Sequence, residues 1–130
     1  MLIFNQSEIN QIPLSIGIYR IYAKTQNKIP IPITRFCDTD QRGLLYIGRT
    51  TGQNLRTRLY QFYASSNINK LTHNHSGALK YCNNLIIRET LGENHLLYFD
   101  YELNENPTER ESQLLQEYIN EYGEYPPLNK

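Results

Sequence analysis

The sequence predicts one α/β domain, an α+β sandwich in which helices flank a small, mainly antiparallel sheet of three strands. Three segments rich in β-branched and aromatic residues predict the strands, and three segments with apolar residues at helical spacing predict the helices. The chain has 130 residues and contains no internal repeat, low-complexity tract or linker. That length suffices to bury one hydrophobic core, so we expect residues 1–130 to form a single domain.

The first two predicted strands are separated by a long insert. The three strands are Ser15 to Lys24, Leu44 to Thr50 and His95 to Leu103. The insert, at about residues 25–43, contains Pro30 and Pro32, and a proline cannot donate a main-chain hydrogen bond within a sheet. We therefore expect the insert to form an extended loop or a sheet edge at the surface, with residues 38–40 (DTD) in a solvated turn.

Two of the predicted helices lie between the second and third strands. The first runs from Asn54 to about Ser65 and carries an apolar face in which Arg58 is embedded. The second runs from His75 to about Leu91 and is closed by Gly92, although its NNLII segment is also compatible with a short strand. The predicted order is strand, insert, strand, helix, helix, strand, helix.

The last predicted helix, Pro107 to Gly123, contains a carboxylate in an unusual place. Glu109 stands at the third helical position, where it supports the cap. Glu111 instead shares a face with apolar residues, which are Leu114, Leu115, Tyr118, Ile119 and Tyr122. Burial of an unpaired charge is costly, so Glu111 needs a partner. From these residues, a capping box with Thr108 and a binding site explain Glu111 about equally well.

Net charge is zero, but the charges are unevenly distributed along the chain. Residues 1–65 carry eight Lys or Arg and three Asp or Glu, whereas residues 66–130 carry five and ten. From Arg42 to Arg58, both included, there are four arginines and no acid. This stretch is compatible with a phosphate-facing patch and with an ordinary solvated surface, and charge alone does not decide between them.

The composition predicts a soluble cytoplasmic protein that does not bind a membrane. No apolar run reaches eighteen residues, and the N-terminus lacks the basic and apolar regions of a signal peptide. Cys37 and Cys82 lie far apart and match no CxxC spacing. We expect both to be free thiols in a reducing compartment.

Two tyrosines in the predicted strands stand near glycines. Tyr19 ends the tripeptide GIY, and Tyr46 begins the tripeptide YIG. A glycine inside a strand often marks the close approach of another backbone or of a ligand. Taken alone, each tyrosine is more simply a core residue whose hydroxyl finds a hydrogen bond.

The two tripeptides begin an ordered set of motifs. They are followed by an arginine in a Leu-x-x-Arg-Leu pattern, a histidine in the tripeptide HSG, a glutamate with a leucine three residues later, and a C-terminal Pro-x-Asn. In this order the set resembles the GIY-YIG nuclease family, and the resemblance spans Gly17 to Asn129. It implies a stand-alone catalytic domain with a long insert between its first two motifs.

The resemblance implies a set of site residues. The implied catalytic residues are Tyr19, Tyr46, Arg58, His75, Glu111 and Asn129. Arg56 competes with Arg58 for the role of the catalytic arginine, and His73 competes with His75. The family often has a histidine where this chain has Phe62, so we expect that polar group to be missing.

The resemblance also implies the chemistry of the site. Such nucleases hydrolyse DNA phosphodiester bonds with one divalent metal ion, Mg²⁺ or Mn²⁺, and Glu111 is the implied metal ligand. Arg58 would hold the phosphate. Tyr19 would take a proton from the attacking water, provided that a nearby cation lowers its pKa, while Tyr46 positions the water or the phosphate. Which tyrosine is the base stays open.

DNA is the expected partner. The expected nucleic-acid contacts are Arg35, Arg42, Arg49 and Arg56. Because net charge is zero and the sequence ends soon after the last motif, we expect specificity to come from the insert, a homodimer or a partner protein. Two alternatives to an endonuclease stay open, a non-catalytic nucleic-acid-binding module on the same fold and a small protein-interaction domain.

Overall fold

The computed structural model describes residues 1–66 and 75–129. His73, which competes with His75 in the sequence, lies outside the described residues. In chain order the elements are β1 (Leu2–Ile3), α1 (Gln6–Ile9), β2 (Gly17–Lys24), β3 (Ile33–Thr34), β4 (Thr39–Asp40), β5 (Leu44–Arg49), α2 (Leu55–Ser66), α3 (Ser76–Asn83), α4 (Leu85–Leu91), β6 (Leu96–Leu103) and α5 (Pro107–Tyr122).

A four-stranded antiparallel sheet forms the centre of this α+β fold. Its strand order is β1-β6-β2-β5, and β3 and β4 form a separate two-stranded sheet. The long strands β2, β5 and β6 confirm the three predicted strands. The predicted number of three was wrong, because Leu2 and Ile3 pair with β6 as a fourth strand. A strand of two residues is too short to leave an alternating pattern in the sequence.

The middle strand β2 is covered on both faces. Its side chains alternate between two core clusters, as a period of two requires. Tyr19 and Ile21 belong to a cluster that also contains residues of α1 to α4. Ile18 and Tyr22 belong to a second cluster, which contains residues of α5. The sheet therefore separates α5 from the other helices, and the two clusters together form the core of the domain.

Helices α2 and α5 begin and end close to the predicted residues. Helix α2 is capped by Asn54, whose side chain accepts the main-chain N–H of Thr57 at 2.9 Å. Helix α5 starts at Pro107 and ends before Gly123, which has a left-handed φ of 80°. These local signals defined both helices in the sequence.

The helix predicted from residue 75 to 91 is two helices, so the prediction of one was wrong. Asn84 interrupts it with extended backbone, φ −101° and ψ 95°, and its side chain accepts the main-chain N–H of Ile87 at 3.1 Å. Asparagine favours such a cap over the interior of a helix because its amide competes for main-chain groups. The alternative of a strand in this segment is not observed, since Leu85 begins α4.

The insert packs against the C-terminal part of α5. Its strands β3 and β4 pair as a short hairpin. Asp40 has no exposed surface, and its carboxylate accepts the Tyr118 hydroxyl and the Arg42 main-chain N–H, each at 2.8 Å. The prediction of a solvated turn was therefore wrong for Asp40. A buried carboxylate is tolerated because donors surround it.

Two further expectations concern the thiols and the membrane. Cys37 is exposed and Cys82 is buried, and both are free, as predicted. Within residues 1–66 and 75–129, no helix is long and apolar enough to cross a membrane.

The contact between Tyr118 and Asp40 predicts that the insert stabilises the whole fold. Tyr118→Phe is expected to lower the free energy of unfolding by about 1–3 kcal/mol, because it leaves a buried carboxylate one donor short. Urea unfolding measures the change. In an Asp40→Asn background the same substitution should cost less, since the two residues interact directly. Equal costs in both backgrounds would contradict the assignment.

Candidate active site

The tyrosine of the GIY tripeptide is buried beside a buried histidine. Tyr19 lies in the middle strand β2, and His75 is the residue that precedes α3. Neither side chain has exposed surface. Tyr19 Oη and His75 Nε2 are 2.7 Å apart, so the sheet and the start of α3 hold the two groups in a short hydrogen bond.

The hydrogen bonds of His75 determine which atom donates to Tyr19. His75 Nδ1 accepts the main-chain N–H of Ala78 at 3.2 Å and thereby caps α3. Burial, reinforced by the positive charge of Arg58, lowers the pKa of His75 to about 3, so the ring is neutral at neutral pH. A neutral imidazole has one donor and one acceptor nitrogen. Because Nδ1 accepts, Nε2 carries the proton and donates it to Tyr19 Oη. His75 is thus not a base for Tyr19.

The tyrosine of the YIG tripeptide lies beside Tyr19 and is partly exposed. The ring centroids of Tyr19 and Tyr46 are 6.0 Å apart. Two glycines make room for these rings, because a Cβ on Gly48 would collide with the ring of Tyr19, and a Cβ on Gly77 with the ring of Tyr46. The glycines of YIG and HSG are therefore required by the close approach of the tyrosine rings, and not of another backbone.

Burial raises the pKa of both tyrosines. The pKa of Tyr19 lies well above its usual value, and the charge of Arg58 opposes that rise. The pKa of Tyr46 is also raised by burial, while Arg58 and a hydrogen bond from Tyr19 lower it. A base role requires a nearby cation that lowers the pKa of the tyrosine, and Arg58 is such a cation. Arg58 acts in the expected sense, but desolvation outweighs it.

Of the two competing arginines, Arg58 is the one that faces the tyrosines. Its charge acts on the pKa of both tyrosines and on that of His75. Its Nη1 donates to Gln61 Oε1 at 2.7 Å, a contact between residues three apart on α2. Arg56 Nε instead donates to the main-chain carbonyl of Ile12 at 2.8 Å. Arg56 therefore links α2 to the segment that follows α1.

Glu111 approaches the tyrosines from α5, on the other side of the sheet. In the described part of the chain, β5 is an outer strand of the sheet, so its edge is not covered by another strand. The charge of Glu111 acts on the pKa of both tyrosines. Burial raises the pKa of Glu111, and Arg49 opposes the rise. Arg49 Nε donates to Glu111 Oε1 at 3.3 Å, which supplies the partner that the position of Glu111 requires.

The capping box between Glu111 and Thr108 is not observed. Glu109 is the acid at the start of α5, where its carboxylate accepts the Asn106 amide at 2.7 Å. The hydroxyl of Thr108 accepts from Arg49 Nη1 at 3.1 Å. Both glutamates are therefore accounted for by different contacts, and Glu111 is free of a structural role at the helix start.

Asn129 holds the strand that carries Tyr46. Its side-chain amide donates to the Ile47 carbonyl at 2.9 Å, and its side-chain oxygen accepts the Ile47 N–H at 3.0 Å. Both main-chain groups of Ile47 at the outer edge of β5 are thereby satisfied. Asn129 is thus a positioning residue for the site.

The four arginines predicted to contact nucleic acid bind different parts of the fold. Arg35 donates to the Glu124 carboxylate at 2.9 Å and Arg42 Nε lies 3.6 Å from Asp40 Oδ1, while Arg49 and Arg56 have the partners described above. Of the four, Arg42 is the exposed one. The structure therefore does not join them into one free basic patch.

The carboxylate at this site fits Mg²⁺ better than Zn²⁺. Among the described residues, no group of three or more His, Cys, Asp or Glu side chains is arranged to hold a metal ion. Zinc requires several protein ligands, whereas Mg²⁺ keeps most of its waters and is commonly bound through one or two carboxylates. The side chain of Glu111 is 22% exposed, so a hydrated ion can reach it.

Two further groups complete the site, Phe62, which the sequence indicated only as a missing polar group, and Gln61, which the sequence did not identify. Phe62 has no exposed surface and packs edge-on against His75, with ring centroids 4.8 Å apart. It supplies an apolar wall where the family often has a polar group. Gln61 holds the guanidinium of Arg58, and its position three residues further along α2 was the signal that could have identified it.

Comparison of the chain with family models, curated proteins and solved structures found no match. Any function must therefore be argued from the ordered motifs and the geometry of the site.

The lowered pKa of His75 predicts acid sensitivity. An unfolded histidine takes up a proton near its ordinary pKa, whereas the folded one does so only near pH 3. Stability should therefore fall as the pH drops below about 6.5, by up to about 1.4 kcal/mol per unit. His75→Asn keeps an acceptor for the helix cap, and it should lack this loss of stability at low pH. Urea unfolding at about pH 7, 5.5 and 4.5 measures it. Parallel curves would contradict the assignment.

Proposed function

We propose that the chain is a metal-dependent endonuclease of the GIY-YIG type, which hydrolyses DNA phosphodiester bonds. One observation carries the proposal, the gathering of chemically suited groups from distant parts of the chain. These groups are Tyr19, Tyr46, Arg58, His75 and Glu111. Phosphodiester hydrolysis needs a proton acceptor, a cation for the phosphate and a metal ligand, and the cluster contains all three.

Tyr46 is the proton acceptor for the attacking water in this proposal. Tyr19 has no exposed surface, whereas Tyr46 is partly exposed and can meet a water that also reaches a phosphate. His75 donates to Tyr19, which leaves the Tyr19 hydroxyl free to donate towards Tyr46, and the interaction with Tyr19 lowers the pKa of Tyr46. Tyr19 is then a positioning residue, which reverses the roles that the family resemblance implied.

Arg58 acts on the tyrosines and on the substrate. Its permanent charge lowers the pKa of Tyr46 and so opposes the effect of burial. A guanidinium also binds two phosphate oxygens at once, which stabilises the charge that builds up during hydrolysis. Gln61 restrains the guanidinium from one side and thus reduces the freedom that Arg58 loses when it binds a phosphate.

Glu111 is the residue that would hold Mg²⁺ or Mn²⁺. When bound, the ion supplies Lewis-acid polarisation of the phosphoryl oxygen and stabilises the leaving 3′ oxygen. Glu111 suits this role because it is a half-buried carboxylate beside the partly exposed Tyr46. Asn129 contributes by holding β5 in place.

Cleavage of plasmid, branched and single-stranded DNA, with Mg²⁺ or with a chelator, tests the proposal. Tyr46→Phe should slow cleavage by about 100-fold or more, the usual contribution of a general base. Arg58→Gln should cost about 100-fold to 1000-fold, as expected for loss of a charge that stabilises the transition state. Glu111→Gln and the chelator should each abolish cleavage.

Two variants serve as comparisons. Tyr22→Phe removes a hydroxyl that bonds Asp100 and belongs to the other core cluster, so it should leave cleavage unchanged. Arg56→Gln should cost less than Arg58→Gln, because the Arg56 guanidinium is bound to a main-chain carbonyl. Cleavage that survives Glu111→Gln would refute the metal assignment. A protein that binds DNA but cleaves no substrate would instead be the non-catalytic module.

The pH dependence of cleavage tests the proton acceptor. The pKa of Tyr46 is raised above its usual value. At any pH below this raised pKa, the fraction of deprotonated Tyr46 increases as the pH increases. The single-turnover rate should rise by up to about tenfold per unit between about pH 6 and 9. No inflection is expected near 6.5, since the pKa of His75 is about 3. A flat profile over this range would contradict the role of the tyrosine.

A further inference from the structure

We propose that Arg49 and a divalent cation compete for the carboxylate of Glu111, so that Arg49 exchanges between Glu111 and a DNA phosphate. The inference rests on the proposed function, because it takes Glu111 as the metal ligand. It adds a role for Arg49 that neither the motifs nor the resemblance assigned, namely control of access to the metal site.

Three contacts hold Arg49 in front of Glu111. Arg49 Nε donates to Glu111 Oε1 at 3.3 Å. Arg49 Nη1 donates to the hydroxyls of Thr51 and Thr108, each at 3.1 Å. These partners come from the turn after β5 and from the first turn of α5. The guanidinium is therefore fixed between a strand end and a helix start, with Glu111 as its one charged partner among the described residues.

This position of Arg49 is incompatible with a cation on the same carboxylate oxygen. Mg²⁺ sits about 2 Å from its oxygen ligands and carries a shell of waters of similar radius. A guanidinium nitrogen 3.3 Å from Glu111 Oε1 occupies the space that this shell needs. The two positive charges would also repel each other strongly at such a short separation. A cation on this oxygen therefore requires Arg49 to move away.

A phosphate is the acceptor that suits a displaced Arg49. The hydroxyls of Thr51 and Thr108 are neutral acceptors, and a hydrogen bond from a guanidinium to an anionic oxygen is about twice as strong. Arg49 ends the strand that carries Tyr46, and its positive charge acts on the pKa of Tyr46 at the outer edge of the sheet. A phosphate held near Tyr46 is therefore within reach of Arg49. Cation and DNA should then favour each other's binding, because Arg49 leaves one site for the other.

Calorimetric titration with Mn²⁺ tests the competition directly. Arg49→Gln should bind Mn²⁺ about fivefold more tightly than the wild type, the upper end of what a partly exposed ion pair contributes. Arg110→Gln is the matched control, because it removes an arginine that pairs with Glu102 at 2.7 Å and stands next to Glu111 in the chain. It should change the affinity by less than about twofold. Glu111→Gln should not bind.

A second variant keeps the charge of Arg49 and removes its neutral anchors. The double substitution Thr51→Val and Thr108→Val should tighten Mn²⁺ binding by less than Arg49→Gln, because the loosened guanidinium still competes. Thermal melting confirms that each variant is folded before titration. Together the variants distinguish competition by the charge from a general effect of the substituted surface.

A DNA-binding assay measures whether Arg49 binds a DNA phosphate when a cation is present. With Ca²⁺ in place of Mg²⁺, Arg49→Gln should weaken binding to a short duplex about fivefold, whereas with a chelator it should have no effect. An equal loss in both conditions would overturn the exchange.

The outcomes separate this inference from the proposed function. If Mn²⁺ binding requires Glu111 but Arg49→Gln binds with the affinity of the wild type or more weakly, the competition is refuted and the metal site stands. If no protein shows binding that depends on Glu111, the proposed metal site is refuted and the inference falls with it. Tightening by Arg49→Gln that Arg110→Gln reproduces would show an effect of charge at long range, which also overturns the inference.

Discussion

The site depends on the hydrogen bond between Tyr19 Oη and His75 Nε2. Both side chains lack exposed surface, so neither polar group can turn to water if the bond is broken, and the loss would leave unsatisfied groups in the core. The same imidazole caps α3 through Nδ1. One neutral ring therefore joins the middle strand to a helix and sets the direction in which Tyr19 donates. Because Tyr19 accepts from His75, its own hydroxyl hydrogen can point towards Tyr46.

Burial holds the side chains of Tyr19, Tyr46 and His75 in place, but it also opposes deprotonation of the two tyrosines. Desolvation raises the pKa of both tyrosines, and the charge of Arg58 compensates only in part. A general base with a raised pKa is strong but rarely deprotonated, so its surroundings must stabilise the anion until it accepts the proton of the attacking water. In the proposed mechanism, the donation from His75 to Tyr19 contributes that stabilisation inside a core where water cannot.

Because β5 is an outer strand, charged groups from both faces of the sheet act on one of its residues, Tyr46. Arg58 comes from α2 and Glu111 from α5, and both act on the pKa of Tyr46. Asn129 covers the edge of this strand at Ile47 by satisfying both of its main-chain groups. The edge is thus protected at Ile47, whereas the proposed exchange of Arg49 takes place at the end of the strand.

The sequence by itself determined the long strands, the limits of α2 and α5, and the residue types of the site, because these depend on local signals such as Asn54, Pro107 and Gly123. Only the tertiary structure decided the rest. The two-residue β1, the burial of Asp40 and the pairing of Arg49 with Glu111 depend on contacts between residues far apart in the chain. No local periodicity encodes such contacts, since they exist only when the core excludes water.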